Sequence, residues 1–247
     1  METTGERHYV VIARRERREC AGSLGQRRRC TYLVTIDGGR HWRAGAVPGA
    51  EKRDFRAVHA VDDRTALLVS IGEGPQSTVY KTTDAGQHWR LVWTNPNAKG
   101  FFDAIAFWDA RRGVVLSDPV EGIFRLFTTS DQGETWQALD GPAALPQEGA
   151  FAASGTCLVP RGRRDLWFAS GGPLPAGARI FHSTDAGAHW TAIATPISSD
   201  GSGAGIFSLA FTASGHAIAV GGDYSKPADT TRNIAISAVD QILRLVT

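Results

Sequence analysis

Short apolar runs separated by polar breaks fill most of the chain, and they come in sets. One set reads "FRAVHAV", "ALLVSIG", "STVYKTT" and "RLVWT", beginning at Phe55. The next opens at Phe102 with "FDAIAFW", "GVVLSDPV" and "IFRLFTT". "FAASGTCLV", "DLWFASGG" and "ARIFHST" follow from Phe151, then "FSLAFTA", "AIAVGGD" and "NIAISAV" from Phe207. The runs are rich in β-branched and aromatic residues and are bounded by Gly, Pro and Asp, which predicts short strands, four to a unit. No stretch of the repeat region sustains a 3.6-residue apolar period, so helices should be few.

Between the third and fourth runs of each unit stands a recurring octet. The copies are "TIDGGRHW" (35–42), "TTDAGQHW" (82–89), "TSDQGETW" (129–136) and "STDAGAHW" (183–190). Their tryptophans, Trp42, Trp89, Trp136 and Trp190, are 47, 47 and 54 residues apart. Four antiparallel strands at that period are the pattern of a β-propeller blade. The octet's position makes it a hairpin. Its carboxylates, Asp37, Asp84, Asp131 and Asp185, can accept bonds from nearby backbone N–H groups. Gly39, Gly86, Gly133 and Gly187 supply the left-handed turn geometry, and the tryptophans can pack between units. A calcium loop needs several oxygen ligands at alternating positions, and each octet offers one carboxylate. The histidines at 41, 88 and 189 give way to Thr135 in the third copy. The octets therefore read as structure, with no metal and no catalytic residue among them.

The S/T-x-D-x-G-x-x-W octet resembles the Asp-box, or BNR repeat, of sialidase-type and related propellers. "FFDAIAFWD", "LSDPVEG", "PAALPQEGAFAASGT", "AGIFSLAF" and "AVGGDY" resemble bacterial Asp-box propellers related to the photosystem II stability and assembly factor, often labelled oxidoreductases. The likeness covers roughly residues 31–240. It implies a protein-binding or assembly role. The two partial end units could combine into one blade and close a small four-bladed ring. Full-length members of that group are typically exported and longer than this chain, so the expected form is an arc of about four to five blades from a larger, seven-bladed ring.

In a propeller, the loops entering the first strand and leaving the second share one face, opposite the octet hairpins. Loops from every blade converge there, so that face is the place for a site. The candidate residues on it are Asp54, Arg56, Asp103 and Glu148 at first-strand entries, with Ser154 and Ser208. The loops after second strands add Glu73, Asp118, Glu121, Asp223 and Tyr224. Carboxylates facing each other across a channel can bind a cation or transfer protons; equally, they can cap strand ends. Sialidase-type chemistry, as the resemblance implies, needs an arginine cluster and a tyrosine–glutamate pair. Arg56 stands alone, with Asp103, Ala152 and Ser208 expected at the equivalent positions, and Tyr224 has no evident partner. No Gly-rich phosphate loop links a strand to a helix, so no nucleotide cofactor is expected. The expected function is a non-catalytic scaffold for a protein partner, with a glycan-binding or glycoside-hydrolase propeller as the alternative.

Composition narrows this further. The 247 residues carry a net charge of only +2, which supplies no field for nucleic acid. No apolar run approaches the length of a membrane span. The first 30 residues contain eight arginines and no apolar signal core. They are expected to lie outside the fold, as a disordered or non-native segment ahead of a propeller over 31–247 with partial blades at both ends. Cys20, Cys30 and Cys157 lack the count and spacing of a disulfide framework. Cys157, in "SGTCLV", reads as a small buried hydrophobe.

Overall fold

The computed structural model describes residues 9–11, 19–21, 27–29, 32–35, 37–153, 155–229, 231–236 and 244–245. Among them there is no α-helix, only a 3-10 turn at Gly74–Gln76. The rest is antiparallel sheet. β1 (Tyr9–Val11), β2 (Glu19–Ala21) and β3 (Arg27–Arg29) are short; β2 pairs with β3. β1 pairs with β4 (Tyr32–Thr35), which pairs with β5 (Arg43–Gly45). The remainder of residues 1–30, and Ser154, lie outside the described residues.

Four sheets of four strands follow, each in chain order. The second sheet is β6 (Asp54–Ala60), β7 (Ala66–Ile71), β8 (Thr78–Thr82) and β9 (Arg90–Thr94). The third is β10 (Phe102–Phe107), β11 (Gly113–Val120), β12 (Ile123–Thr129) and β13 (Gln137–Ala143). The fourth is β14 (Leu158–Arg161), β15 (Asp165–Ala169), β16 (Arg179–Ser183) and β17 (Thr191–Ala194). The fifth is β18 (Ala204–Phe211), β19 (Ala217–Asp223), β20 (Ile234–Ile236) and β21 (Arg244–Leu245). First strands touch in sequence, β6 on β10, β10 on β14 and β14 on β18. These are the blades of a β-propeller. Among the described residues no sheet packs on the outer face of the first or of the last sheet, as in an arc.

The blade order explains the sequence pattern. Middle strands are covered on both faces by neighbouring blades, so β7 runs "ALLVS" with every residue buried. Fourth strands lie on the rim, so β9 is exposed or half-buried throughout. Apolar clusters fill the spaces between successive sheets. One joins Val69 and Val79 to Phe102 and Phe127, and another joins Leu116 and Leu126 to Phe168 and Phe181.

Each octet closes the turn after a third strand through the same bonds. In the fourth copy the Ser183 hydroxyl donates to Asp185 Oδ1 at 2.8 Å and accepts the Gly187 N–H at 2.8 Å. Asp185 Oδ1 also accepts the His189 N–H at 2.9 Å, and Trp190 Nε1 donates to the Gly187 carbonyl at 2.9 Å. Asp37, Asp84 and Asp131 repeat the pattern with threonine hydroxyls. The second carboxylate oxygen takes the histidine Nδ1 in three copies, at 2.5–2.6 Å. In the third copy it accepts the Thr135 hydroxyl at 2.6 Å. Histidine and threonine are thus interchangeable donors. The N–H of His41 and its ring hold the Asp37 carboxyl well below the usual range. In the second copy the Gly86 carbonyl accepts the Tyr32 hydroxyl of the preceding sheet instead of its own tryptophan. The residue before each octet glycine also has positive φ, at Gly38, Ala85, Gln132 and Ala186.

Two registers differ from the sequence expectation. The first strand of the fourth sheet starts at Leu158 instead of Phe151, because Gly149 and Gly171 pair ahead of it and residues 151–153 and 155–157 are not in a strand. In β6, β10 and β18 a bulge follows the second, first and third residue respectively, at Arg56, Asp103 and Phe207. Phe207, and not Ser208, therefore occupies the position of Arg56 and Asp103. The phenylalanines of "FDAIAFW" and "FSLAFTA" align one residue out of step.

Ser183 is 1% exposed, and its loss strands the Gly187 N–H in a buried turn. Ser183→Ala should cost about 1–3 kcal/mol, lowering Tm by several degrees in a thermal melt. Ser183→Thr should melt with the wild type, since the other three octets use threonine.

Candidate functional site

Bulges re-aim side chains, and two of them build the centre of the loop face. Asp103 is the bulged residue of β10, and Asp118, between Ser117 and Pro119, is that of β11. Asp103 is 1% exposed, and among the described residues neither of its carboxyl oxygens has a hydrogen-bond partner. Burial, reinforced by the charge of Asp118, pushes its carboxyl well above the usual range. Asp118 is raised to about 6 by burial, against the Ala150 N–H that it accepts at 2.8 Å. Cys157 is buried close to both. Burial first, then the Asp103 charge, pushes its thiol up to about 12, so it is an inert free thiol.

The loop from Leu145 to Thr156 ties three sheets together at this end. Glu148 is fully buried, and its carboxylate forms a bidentate pair with Arg179. It also accepts the Ser170 hydroxyl at 2.6 Å and the Leu145 N–H at 2.7 Å. Gly149 pairs with Gly171, which in turn pairs with Gly205. A Cβ on Gly171 would meet the Gly205 Cα at 2.5 Å, so only glycine admits this approach. Beyond it, the Phe151 ring lies edge-on to Phe207 at 4.9 Å and to Tyr224 at 6.3 Å. Thr156 donates to Ser208 at 2.9 Å.

The candidate residues therefore separate by environment. Asp103 and Asp118 come together under the loop. Glu148 is consumed in a buried ion pair that holds the loop. Asp54 and Arg56 bind each other, with contacts of 2.8 and 3.0 Å. Asp223 caps its own turn, accepting the Ser225 N–H and hydroxyl and pairing with Lys226 at 3.3 Å. Glu73 is exposed beside the 3-10 turn. Tyr224 is 66% exposed and leans on half-buried Phe151 and Phe207. Sequence reasoning passed over Phe151 and Phe207 because both stood in strand-like runs; the bulge and the glycine bridge turn them outward together. Among the described residues no three His, Cys, Asp or Glu side chains converge to hold a metal ion. No described helix is long and apolar enough to cross a membrane.

No known protein family matches the chain by sequence, and no curated protein does. Solved structures share its fold. YCF48 bound to D1 peptide superposes with a TM-score of 0.54 at 17% identity, over 87% of this chain and 61% of that one. The GH74 xyloglucanase from Xanthomonas campestris gives 0.54 at 20% identity, over 86% of this chain and 33% of its own. A variant of the NanB sialidase from Streptococcus pneumoniae gives 0.53 at 13%, over 78% and 32%. The chain thus spans about three fifths of the first and a third of the others. These likenesses establish a β-propeller fold.

A carboxyl whose folded pKa is raised stabilises fully below its unfolded value, and that stability is lost as pH rises through the folded value. For Asp118 the loss falls between pH 4 and about 6. His59, lowered to about 4 by burial, works in the opposite sense over pH 4 to 6.5, so the test is a difference between variants. Asp118→Asn should melt several degrees above wild type at pH 8, and the gap should narrow as the pH falls through 6 toward 4. Parallel Tm–pH curves for the two proteins would show that Asp118 is not buried as described.

Proposed function

We propose that the chain is a non-catalytic β-propeller scaffold that binds a protein partner on its loop face, in the manner of an assembly factor. The observation that carries this reading is the half-exposed aromatic cluster of Phe151, Phe207 and Tyr224. Rigid aromatic side chains at the convergence of several loops are typical anchors of recognition. They lie on the side opposite the octets, free of the bonds that repeat. A solved propeller of similar fold, YCF48, is described with a bound D1 peptide, which supports a peptide segment as the occupant. The polar candidates then divide in role. Tyr224 contacts the partner, with exposed Glu73 and the Asp54–Arg56 pair on the rim. Asp118 and Glu148 hold the loop beneath it, and Asp103 sits inside.

The competing reading is a glycoside hydrolase or glycan-binding propeller. Arg56 is engaged by Asp54, and Asp103 and Phe207 take the two equivalent bulge positions, so an arginine cluster does not assemble there.

Peptides selected against the full chain from a random library provide the probe. Tyr224→Ala should weaken their binding about tenfold or more in a titration while leaving Tm unchanged. Binding that survives both Tyr224→Ala and Phe207→Ala would place the partner elsewhere. Turnover of any substrate in a glycosidase panel would overturn the non-catalytic reading.

A further inference from the structure

The blade register assigns a role to the two open faces at the ends of the arc. Each sheet presents a forward face to the next sheet through two residues of its second strand and one of its third. In the second sheet these are Leu67, Val69 and Val79, and in the third Val114, Leu116 and Leu126; all six are 0% exposed. The strand pairings place Ile218, Val220 and Ile234 of the fifth sheet at the same positions. Val69 faces Val79 and Leu116 faces Leu126, as Val220 faces Ile234. Yet Val220 is 41% and Ile234 42% exposed. Their neighbours Ala219 and Ala235 point the other way and are buried against the fourth sheet.

The backward face is equally regular. It carries the third-strand residue two before the octet hydroxyl, together with the octet tryptophan. These pairs are Tyr80 with Trp89, Phe127 with Trp136, and Phe181 with Trp190, each packed on the preceding sheet. In the first sheet the pair is Leu33 with Trp42. Leu33 is half-buried and Trp42 is 45% exposed, whereas the other three tryptophans are half-buried. Tyr32 and Val34, alternating with Leu33, pack on the second sheet.

One chain thus exposes both halves of an interface that it forms repeatedly between its own blades. We propose that the forward face of the fifth sheet docks on the backward face of the first sheet of a second copy, head to tail. Ile218, Val220 and Ile234 would cover Leu33 and Trp42 as Leu67, Val69 and Val79 cover Phe127 and Trp136. The contact continues the established blade-to-blade packing, so its chemistry is apolar and its symmetry heterologous. A heterologous contact generates rings or open assemblies.

The test is light scattering of the full chain across a concentration series, with Val220→Asp and Trp42→Glu as separate variants. Wild type should rise above the single-chain mass with concentration, as mass action requires. Either variant alone should stay at the single-chain mass, because every pairing meets one spoiled face. An equimolar mixture should recover a species of about twice that mass, since one intact forward face still meets one intact backward face. Wild type that stays at the single-chain mass throughout would overturn the proposal. So would a mixture that fails to associate while both variants melt as wild type does. Ile234→Lys is the second forward-face variant, and association that survives it and Val220→Asp alike would also overturn it.

Discussion

In each of the four octets a buried hydroxyl at the end of a third strand donates to a carboxylate two residues on and accepts the N–H of a glycine four residues on. Thr35, Thr82 and Ser183 are each 1% exposed, and Thr129 is 6% exposed. A tight turn at the rim leaves backbone donors without strand partners, and unpaired buried donors are costly. The hydroxyl and the carboxylate absorb them together. The turn then carries the tryptophan back onto the preceding sheet, so a local satisfaction of hydrogen bonds becomes a contact between blades. Repetition of that coupling, with apolar second and third strands between, gives the arc. The positive φ values at Ala85, Gln132 and Ala186 are tolerated because the bonds around them fix the turn.

The opposite side of the blades is under no such repeated demand. Its loops differ in length and composition, and the chain uses that freedom in two ways. Around Glu148 and Arg179 a buried ion pair fixes the long loop before the fourth sheet. Removing either partner would leave a charge uncompensated. Around Asp103 and Asp118 two bulges bring carboxyls into a space with little to neutralise them. The strain of that arrangement contrasts with the octet aspartates, whose carboxyls are held low by donors. One residue type thus serves opposite electrostatic ends on the two sides of the molecule. Above these groups the aromatic cluster offers the surface on which the proposed partner would rest.

The fold was legible because the octet is short and repeated, and the hydroxyl, carboxylate and glycine bonds that close its turn all lie within eight residues. The strand runs were legible because neighbouring blades bury both faces of the middle strands. Register at the first strands was not, since a bulge adds a residue without changing hydrophobic pattern, and Phe207 passed for the counterpart of Phe102. The role of Glu148 depended on Arg179, 31 residues away across a turn that composition does not mark. Burial of Asp103 depended on the loop that covers it. Sequence placed Asp103 and Asp118 on one face, because repeat alignment sets a first-strand start and a second-strand end on the same side of the blade. Phe151 was hidden by a run that looked like strand and is loop.

The central claim is that the octet bonds, and not the strand ladders alone, hold the four blades that carry them. Amide hydrogen exchange, resolved by residue, tests it most directly. The account predicts that the amides of Gly86, Gly133 and Gly187 exchange as slowly as those of the buried strands β7 and β11, although they lie in turns. The amides of His88, Thr135 and His189, each bonded to an aspartate, should be protected with them. Exchange of these amides at the rate of unbonded loop residues, while β7 and β11 stay protected, would contradict it.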